Sequence, residues 1–545
     1  MSLTEVFPSE IPPETAQVVE PLLPDDSVYR VIADCASDFL SDADFQEWYA
    51  IDGRPGINPI ILALVTIFQF LAKLPDRAAA HLAVMRLDWK YALRQPLDWT
   101  GFHYSDLCNF RKRLLVHSGE SLIFERLLAY LHERGLVQAS GRQRTDATHI
   151  LGAVKQMSDV EVLREAVRLA LGALVSADAK WLMRWIPASF TQNYSRALSN
   201  YRMSQQELAA LIQQTGEEAR WLLDQVACQA EVHLQRLPEV IQLARIWEEQ
   251  YHDVNEAERN IAARQGDDKV AQRIRNPHDP DAVYGTKGRG TISWVGFKLH
   301  VTETIEEPRF FTDVTLTTAS ARDVGDLADS QSHLAERELV PAKHYVDQGY
   351  MSGENIAKSS DQGIDLRGSI GPDTQGKPPG FRLEDFHIEM NQQQALCPAG
   401  HHPQRWVPAT GRTDNRVDIY VFFGKQCLAC PFFGPDRCTT SQTGRKLSLN
   451  TFHDLIQARR QEERTVPFQQ EMQARAAIEG TISELVRAHG LRRARYRGAT
   501  KVFLQALFTT TAANLKRLAT ASAASFDIRD FVDHWCSTVL WTSAI

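Results

Sequence analysis

The sequence predicts a mixed α/β protein, an all-helical N-terminal part followed by a domain that alternates strands with helices. Three observations predict it. From Pro59 to Leu136 apolar residues keep helical spacing, and Pro75, Pro96 and Gly101 cut them into separate helices. At Gly141 the texture changes to Arg-Gln-Arg-Thr-Asp-Ala-Thr-His-Ile-Leu-Gly, an extended run of the kind that forms a strand. Two further strand-like runs, Ile292 to Thr302 and Arg309 to Leu316, flank Glu306, Glu307 and Pro308 as a hairpin would.

Composition sets limits. A chain of 545 residues, 43% of them hydrophobic, can bury a large core, and its length suggests about two to four domains. The formal charge of −8 argues against a protein that coats nucleic acid, yet leaves room for a local basic face. The apolar run Ile57 to Leu74 is broken by Asn58, Pro59, Gln69 and Lys73, so it reads as a buried helix and not as a membrane span. No basic segment followed by an apolar one opens the chain, and a cytoplasmic protein is expected. Of the eight cysteines, Cys35, Cys108, Cys228 and Cys536 are scattered, while Cys397, Cys427, Cys430 and Cys438 fall close together. In a reducing compartment such a cluster suggests metal before disulfides.

Taken in order, the first fifty residues are acidic and proline-rich, then helical around Asp26 to Tyr49. Asp76 and Ser105 suit helix N-caps. In the helix that follows Ser105, Arg111, Lys112 and Arg113 could touch phosphates as a helix-turn-helix module would, or form a solvated basic face. Asp146 stands inside the first strand, where an acid is disfavoured unless it faces water or a ligand. Met157 to Gln265 is richly helical, with Trp181, Trp185, Trp221 and Trp247 as packing residues, and reads as an insertion. Asp323 to Arg337 predicts a helix crossing back over the sheet. Next, the apolar strand Lys343-His-Tyr-Val delivers Asp347 to its carboxyl end, where open α/β sheets place ligands; Gly349 allows a sharp turn and Ser352 caps the next helix. Gly363 to Ile370 is a further strand.

Met472 to Ala488 carries Ile478, Ile482, Leu485 and Val486 at helical spacing, and the spacing predicts one amphipathic helix closed by Gly490. Glu479 lies at the edge of its apolar stripe, one turn from Arg475. In isolation the two read as an ordinary surface ion pair. Gly480 weakens that reading, since a helical glycine costs ~1 kcal/mol and suits a close approach to the backbone. Arg487, Arg492, Arg493, Arg495, Arg497 and Lys501 then follow with no acid among them, and a carboxylate beside a cationic strip suits a metal ion working on a polyanion. The order strand, strand, strand, helix, strand, helix, strand, helix is that of an RNase H-like fold. There an acid on the first strand, one at the end of the fourth and one on a late helix meet at one sheet edge, the places of Asp146, Asp347 and Glu479. The division expected is a helical, DNA-binding part over residues 1–140 and a catalytic part over 141–545, interrupted by a helical insertion at 157–275 and a cysteine-rich β insertion at 371–450.

Several stretches resemble the DDE transposases of bacterial insertion sequences, in the group with a helical N-terminal domain and a cysteine block before the catalytic glutamate. They are Thr145-Asp-Ala-Thr, Asp279-Pro-Asp-Ala, Val346-Asp-Gln-Gly-Tyr, Gly363-Ile-Asp-Leu-Arg-Gly, Cys397-Pro-Ala-Gly, Cys427-Leu-Ala-Cys-Pro, Arg475-Ala-Ala-Ile-Glu-Gly-Thr-Ile-Ser, Gly490-Leu-Arg-Arg-Ala-Arg-Tyr-Arg-Gly and Ala513-Asn-Leu-Lys-Arg-Leu. The resemblance implies that Asp146, Asp347 and Glu479 form a triad binding two Mg2+ or Mn2+ ions, and that Arg475 contacts phosphate. It implies DNA partners, transposon terminal repeats and target, held by a homodimer in a nucleoid-associated, membrane-free setting. Met472 and Val486 depart from the family pattern, which often has tyrosine and a basic residue at those two places. Cys397, Cys427, Cys430 and Cys438 could hold a structural zinc or be buried thiols of a β insertion. Two other readings stay open, a catalytically silent DNA-binding derivative and a nuclease on the same fold.

Overall fold

The computed structural model describes residues 2–3, 5–195, 203–255, 260–265, 272–287, 291–371, 380–410, 417–435 and 437–542. Among the described residues seven α-helices precede the first strand of the sheet: α1 Pro13–Val19, α2 Val28–Phe39, α3 Pro59–Leu71, α4 Asp76–Met85, α5 Leu87–Ala92, α6 Ser105–Val116 and α7 Leu122–Glu133. Helix α3 starts because Pro59 supplies a fixed φ at the first turn and the Asn58 side chain accepts the Ile60 N–H at 2.8 Å. Every α3 residue from Pro59 to Phe70 is buried. No single helix among the described residues is long and apolar enough to cross a membrane. Asp76 and Ser105 each open a helix as its first residue, one place inside the expected cap.

Strand β1 (Arg142–Leu151) begins the sheet. An insertion follows, built of α8 (Asp159–Trp185), α9 (Ala188–Tyr194), α10 (Gln205–Gln229), α11 (Val232–Gln235) and α12 (Pro238–Gln250). It has its own core, in which Trp181 and Trp247 are buried and Trp185 and Trp221 pack at the margin. Its last part is not helical, because β2 (Tyr251–Asn255) and β3 (Asn260–Ala263) pair as a hairpin. The chain re-enters the sheet with β4 (Val283–Lys287), β5 (Ile292–Thr304) and β6 (Phe311–Thr318), crosses it with α13 (Asp323–Glu336), and adds β7 (Lys343–Val346), α14 (Gly353–Asp361) and β8 (Asp365–Arg367).

The sheet runs β4-β5-β1-β7-β8, with β6 also paired to β5. Strand β1 is antiparallel to β5 and parallel to β7, and β7 is parallel to β8, the mixed order of an RNase H-like core. Gly296 marks the point where β4 and β1 both reach β5. Its φ is +156°, and a Cβ there would stand 2.0 Å from the Ile150 carbonyl, so only glycine lets the strands meet.

After β8 come the small strands β9 (His387–Glu389) and β10 (Gln394–Leu396), then β11 (Arg405–Thr410), β12 (Val417–Phe422) and β13 (Lys446–Leu449) in a second small sheet. Helices α15 (His453–Glu463), α16 (Val466–Ala476) and α17 (Ile478–Arg487) follow. The single helix expected over Met472 to Ala488 is therefore two, broken at Ala477. The long α18 (Ala499–Thr542) packs against α2, α3, α7 and β6. Its start is capped from far away in sequence: Asp279 accepts the Gly498 N–H at 3.0 Å and Asp281 the Ala499 N–H at 2.9 Å. One hydrophobic cluster joins the N-terminal helices, the sheet face bearing Phe297, Leu299 and Val301, and α18 from Val502 to Ala519.

Candidate active site

Register brings two of the expected acids side by side. Strands β1 and β7 run parallel with Thr145 opposite Val346, so the next residues, Asp146 and Asp347, stand together where β7 ends. Each carboxylate accepts the next residue's N–H, Asp146 from Ala147 at 2.7 Å and Asp347, which caps the following turn, from Gln348 at 2.6 Å. Burial pushes the Asp146 carboxyl up, and the Asp347 charge adds to that, while the Ala147 N–H, Arg475 and Lys287 oppose it. Lys287, at the end of β4, escaped the sequence reading because an isolated lysine at a strand end gives no signal.

The third acid arrives on α17. Arg475 lies in the last turn of α16 and Glu479 in the first turn of α17. Arg475 Nη1 is 3.6 Å from Asp146 Oδ2 and Nη2 is 4.0 Å from Glu479 Oε1, so one guanidinium stands between strand acid and helix acid. Glu479 itself is exposed, and beyond its own helix and chain neighbours nothing comes within 4 Å of where a Cβ on Gly480 would sit. The backbone there is open to a ligand. Among the described residues, no three His, Cys, Asp or Glu side chains converge closely enough to hold a metal ion. The three acids share an edge around Arg475 without closing on one point.

Below the acids lies a buried polar floor. Tyr350 Oη and His300 Nδ1 are 2.6 Å apart, His300 Nδ1 is 3.3 Å from Asp326, and Thr315 donates to Asp326 at 2.7 Å. Burial takes the His300 imidazole down to about 4 and the Asp326 carboxyl up to about 7.

The basic run divides. Arg487, Arg493, Arg495, Arg497 and Lys501 are exposed. Arg492 is not available as expected, since its guanidinium donates to Thr148 Oγ1 at 3.2 Å and to the His149 carbonyl. Its backbone also extends the sheet: Leu151 N–H donates to Arg492 O at 2.9 Å, and Ala494 N–H to Leu151 O at 2.8 Å. Arg495 is partly committed, donating to the Leu74 carbonyl at 2.7 Å and lying over the Phe70 ring. In α6, Arg111 turns inward to Asp76 at 2.5 Å and is buried, which corrects its expected place on a DNA-facing surface. Lys112 is exposed, and Arg113 lies over the Tyr49 ring, 3.8 Å from its centre.

Cys397, Cys427, Cys430 and Cys438 do gather in one lobe, around a cavity of about 20 Å³ lined also by Phe381, Phe386, Phe423 and His401. The zinc expectation gains no support from this arrangement. The thiols do not converge as a ligand set, and the apolar lining pushes the Cys438 thiol up, favouring the protonated form over the thiolate that zinc requires.

An RNase H-like sheet with carboxylates on adjacent parallel strands, Asp146 inside β1 and Asp347 just past β7, belongs to the class of nucleic-acid phosphoryl-transfer folds. Two family models match the chain, a Transposase domain (DUF772) over residues 17–113 and a Transposase DDE domain over residues 396–519. Two stretches of the chain are thus similar to transposase domains, one in the N-terminal helices and one of the DDE kind. Glu479, the basic run and the cysteine lobe fall inside the second match, whereas Asp146 and Asp347 lie between the two. No curated protein and no solved structure matches the chain.

Proposed function

We propose that the protein is an active DNA transposase of an insertion sequence, which binds the transposon's terminal repeats, cuts at its ends by hydrolysis and joins the freed 3′-hydroxyl to target DNA. The observation that carries this reading is the pairing of Asp146, inside β1, with Asp347, just past the end of the parallel β7, with Glu479 drawn to the same edge through Arg475.

The donor set fits divalent metal. All three side chains offer hard carboxylate oxygens, and Asp146 is both desolvated and repelled by Asp347, a strain that a cation would relieve. Divalent Mg2+ or Mn2+ ions, two of them, would activate the attacking oxygen and stabilise the leaving one. Asp146, Asp347 and Glu479 would hold them. Arg475, now a counter-charge between two acids, is released to a phosphate oxygen of the bound strand. In-line displacement by water or by a 3′-hydroxyl needs no covalent enzyme intermediate, so no Ser, Cys or His nucleophile is assigned.

Arg487, Arg493, Arg497 and Lys501 position the DNA backbone without reading its sequence. Base recognition falls to the helices of residues 1–140, through Lys112 and Arg113, and to the insertion at 157–275. Two copies hold the two ends as a homodimer. Replacing Glu479 with Gln is expected to abolish end cleavage in Mg2+ while DNA binding stays nearly intact, as read from labelled terminal-repeat DNA. Normal cleavage by that variant would refute the assignment. A silent DNA-binding derivative would show binding without cleavage already in the wild type, and a nuclease would cleave without joining.

A further inference from the structure

Behind the exposed face of α17 lies a charge cluster that the catalytic reading does not use. The Glu303 and Arg144 side chains are 0% and 1% exposed. Arg144 gives Glu303 Oε1 two hydrogen bonds, from Nε at 2.8 Å and Nη2 at 2.5 Å. Thr481 Oγ1 donates to the same oxygen at 3.0 Å, and Arg517 Nη1 of α18 reaches Oε2 at 3.2 Å. The remaining Arg144 nitrogen, Nη1, donates to the carbonyl of Ala474. Arg517 continues to the Arg309 carbonyl at 3.0 Å and to Glu484 at 3.0 Å.

The positions of these groups matter more than their number. Arg144 stands two residues before Asp146 and therefore on the same face of β1. Ala474 immediately precedes Arg475, and Thr481 follows Glu479 by two, so the cluster grips both sides of the α16–α17 break. Two residues along a helix turn roughly 200° about its axis. Pinning Thr481 inward therefore leaves Glu479 on the open side of α17, beside Arg475. Well-packed apolar residues of similar volume often fill such a space at no loss of stability, whereas an ion cluster also fixes direction.

We propose that Glu303, held by Arg144 and Arg517, is a positioning residue of the active site, fixing through Thr481 the rotation of α17 that keeps Glu479 beside Arg475, which in turn reaches Asp146. This rests on the reading of Glu479 as a metal ligand. The cluster joins four elements, β1, β5, the α16–α17 joint and α18, at one buried carboxylate, so the acid-bearing strand and the acid-bearing helix cannot drift apart independently.

The decisive variant is Thr481→Val, which keeps branching and volume and removes only the hydroxyl. Manganese affinity of the protein bound to terminal-repeat DNA, measured by titration calorimetry, is expected to fall about tenfold, the usual cost of losing a partner behind a metal ligand. Thr481→Ser should restore it, and the melting temperature and DNA affinity of both variants should stay close to wild type. Glu303→Gln should weaken manganese binding further; if it fails to fold, the threonine pair still decides. Wild-type manganese affinity in Thr481→Val would overturn the proposal. So would a loss that Thr481→Ser does not repair. Glu479→Gln separates the two ideas: if it binds manganese and cleaves like wild type, the ligand reading fails on its own account, whatever Thr481→Val does.

Discussion

Asp326 makes the protein's stability depend on pH in a defined direction. Its carboxyl has a value of about 7 in the fold against 3.8 unfolded, so between those limits the folded state holds a proton that the unfolded state has lost. The sign follows: its contribution is fully present below the unfolded value and is lost as pH rises through 7. Asp326→Asn keeps an acceptor for Thr315 and removes the titration. Relative to wild type it should gain stability from pH 4 to pH 7, up to ~4 kcal/mol at about 1.4 kcal/mol per unit, as read by urea unfolding at pH 5 and pH 8. Asp146 and Asp347 were legible in the sequence because an acid in a strand, or at the end of a short apolar one, stands out against propensity. Glu303 was not. An acid in an alternating strand reads like any solvent-facing residue, and only the partners Arg144, Thr481 and Arg517, brought from 159, 178 and 214 residues away, show that it is buried.

At the scale of elements, the run after Gly490 shows how far local pattern carries. Its charge and its bracketing glycines were visible, and Gly490 and Gly498 do adopt positive φ, +72° and +88°. Its pairing beside Leu151 was not visible, because a bridge across some 340 residues leaves no local trace. Two outcomes separate the arginines. Replacing Arg493 and Arg497 with Ala should weaken binding to all DNA alike and lower the salt slope by roughly 1 to 2. Arg492→Ala should leave that slope alone and cost roughly 1–2 kcal/mol of stability, since Thr148 and the His149 carbonyl lose their donor. The helix over Met472 to Ala488 was foreseen, but not its break at Ala477, where Arg144 reaches into the joint.

Across the whole molecule, α18 links the two matched domains mechanically. Phe508 stacks on Phe70 of α3 with ring centres 5.9 Å apart, and Asn514 clasps the β6 backbone, accepting the Phe311 N–H at 2.8 Å and donating to its carbonyl at 3.0 Å. The motif Ala513-Asn-Leu-Lys-Arg-Leu thus has a physical meaning that its letters alone did not give: Asn514 docks the helix on the sheet and Arg517 completes the Glu303 cluster. Phe508→Ala is expected to cost about 3–5 kcal/mol and to lower the N-terminal helices and the sheet in a single calorimetric transition; two separated transitions would show that the shared cluster does not couple them. The same arrangement constrains the protein's birth. Helices α2 and α3 leave the ribosome several hundred residues before the helix that covers them, and at about 5–20 residues per second their apolar faces wait tens of seconds for it. A chain that stalls before Val502 keeps those faces bare, a substrate for chaperones and proteases, so α18 acts as a late seal on helices made long before it.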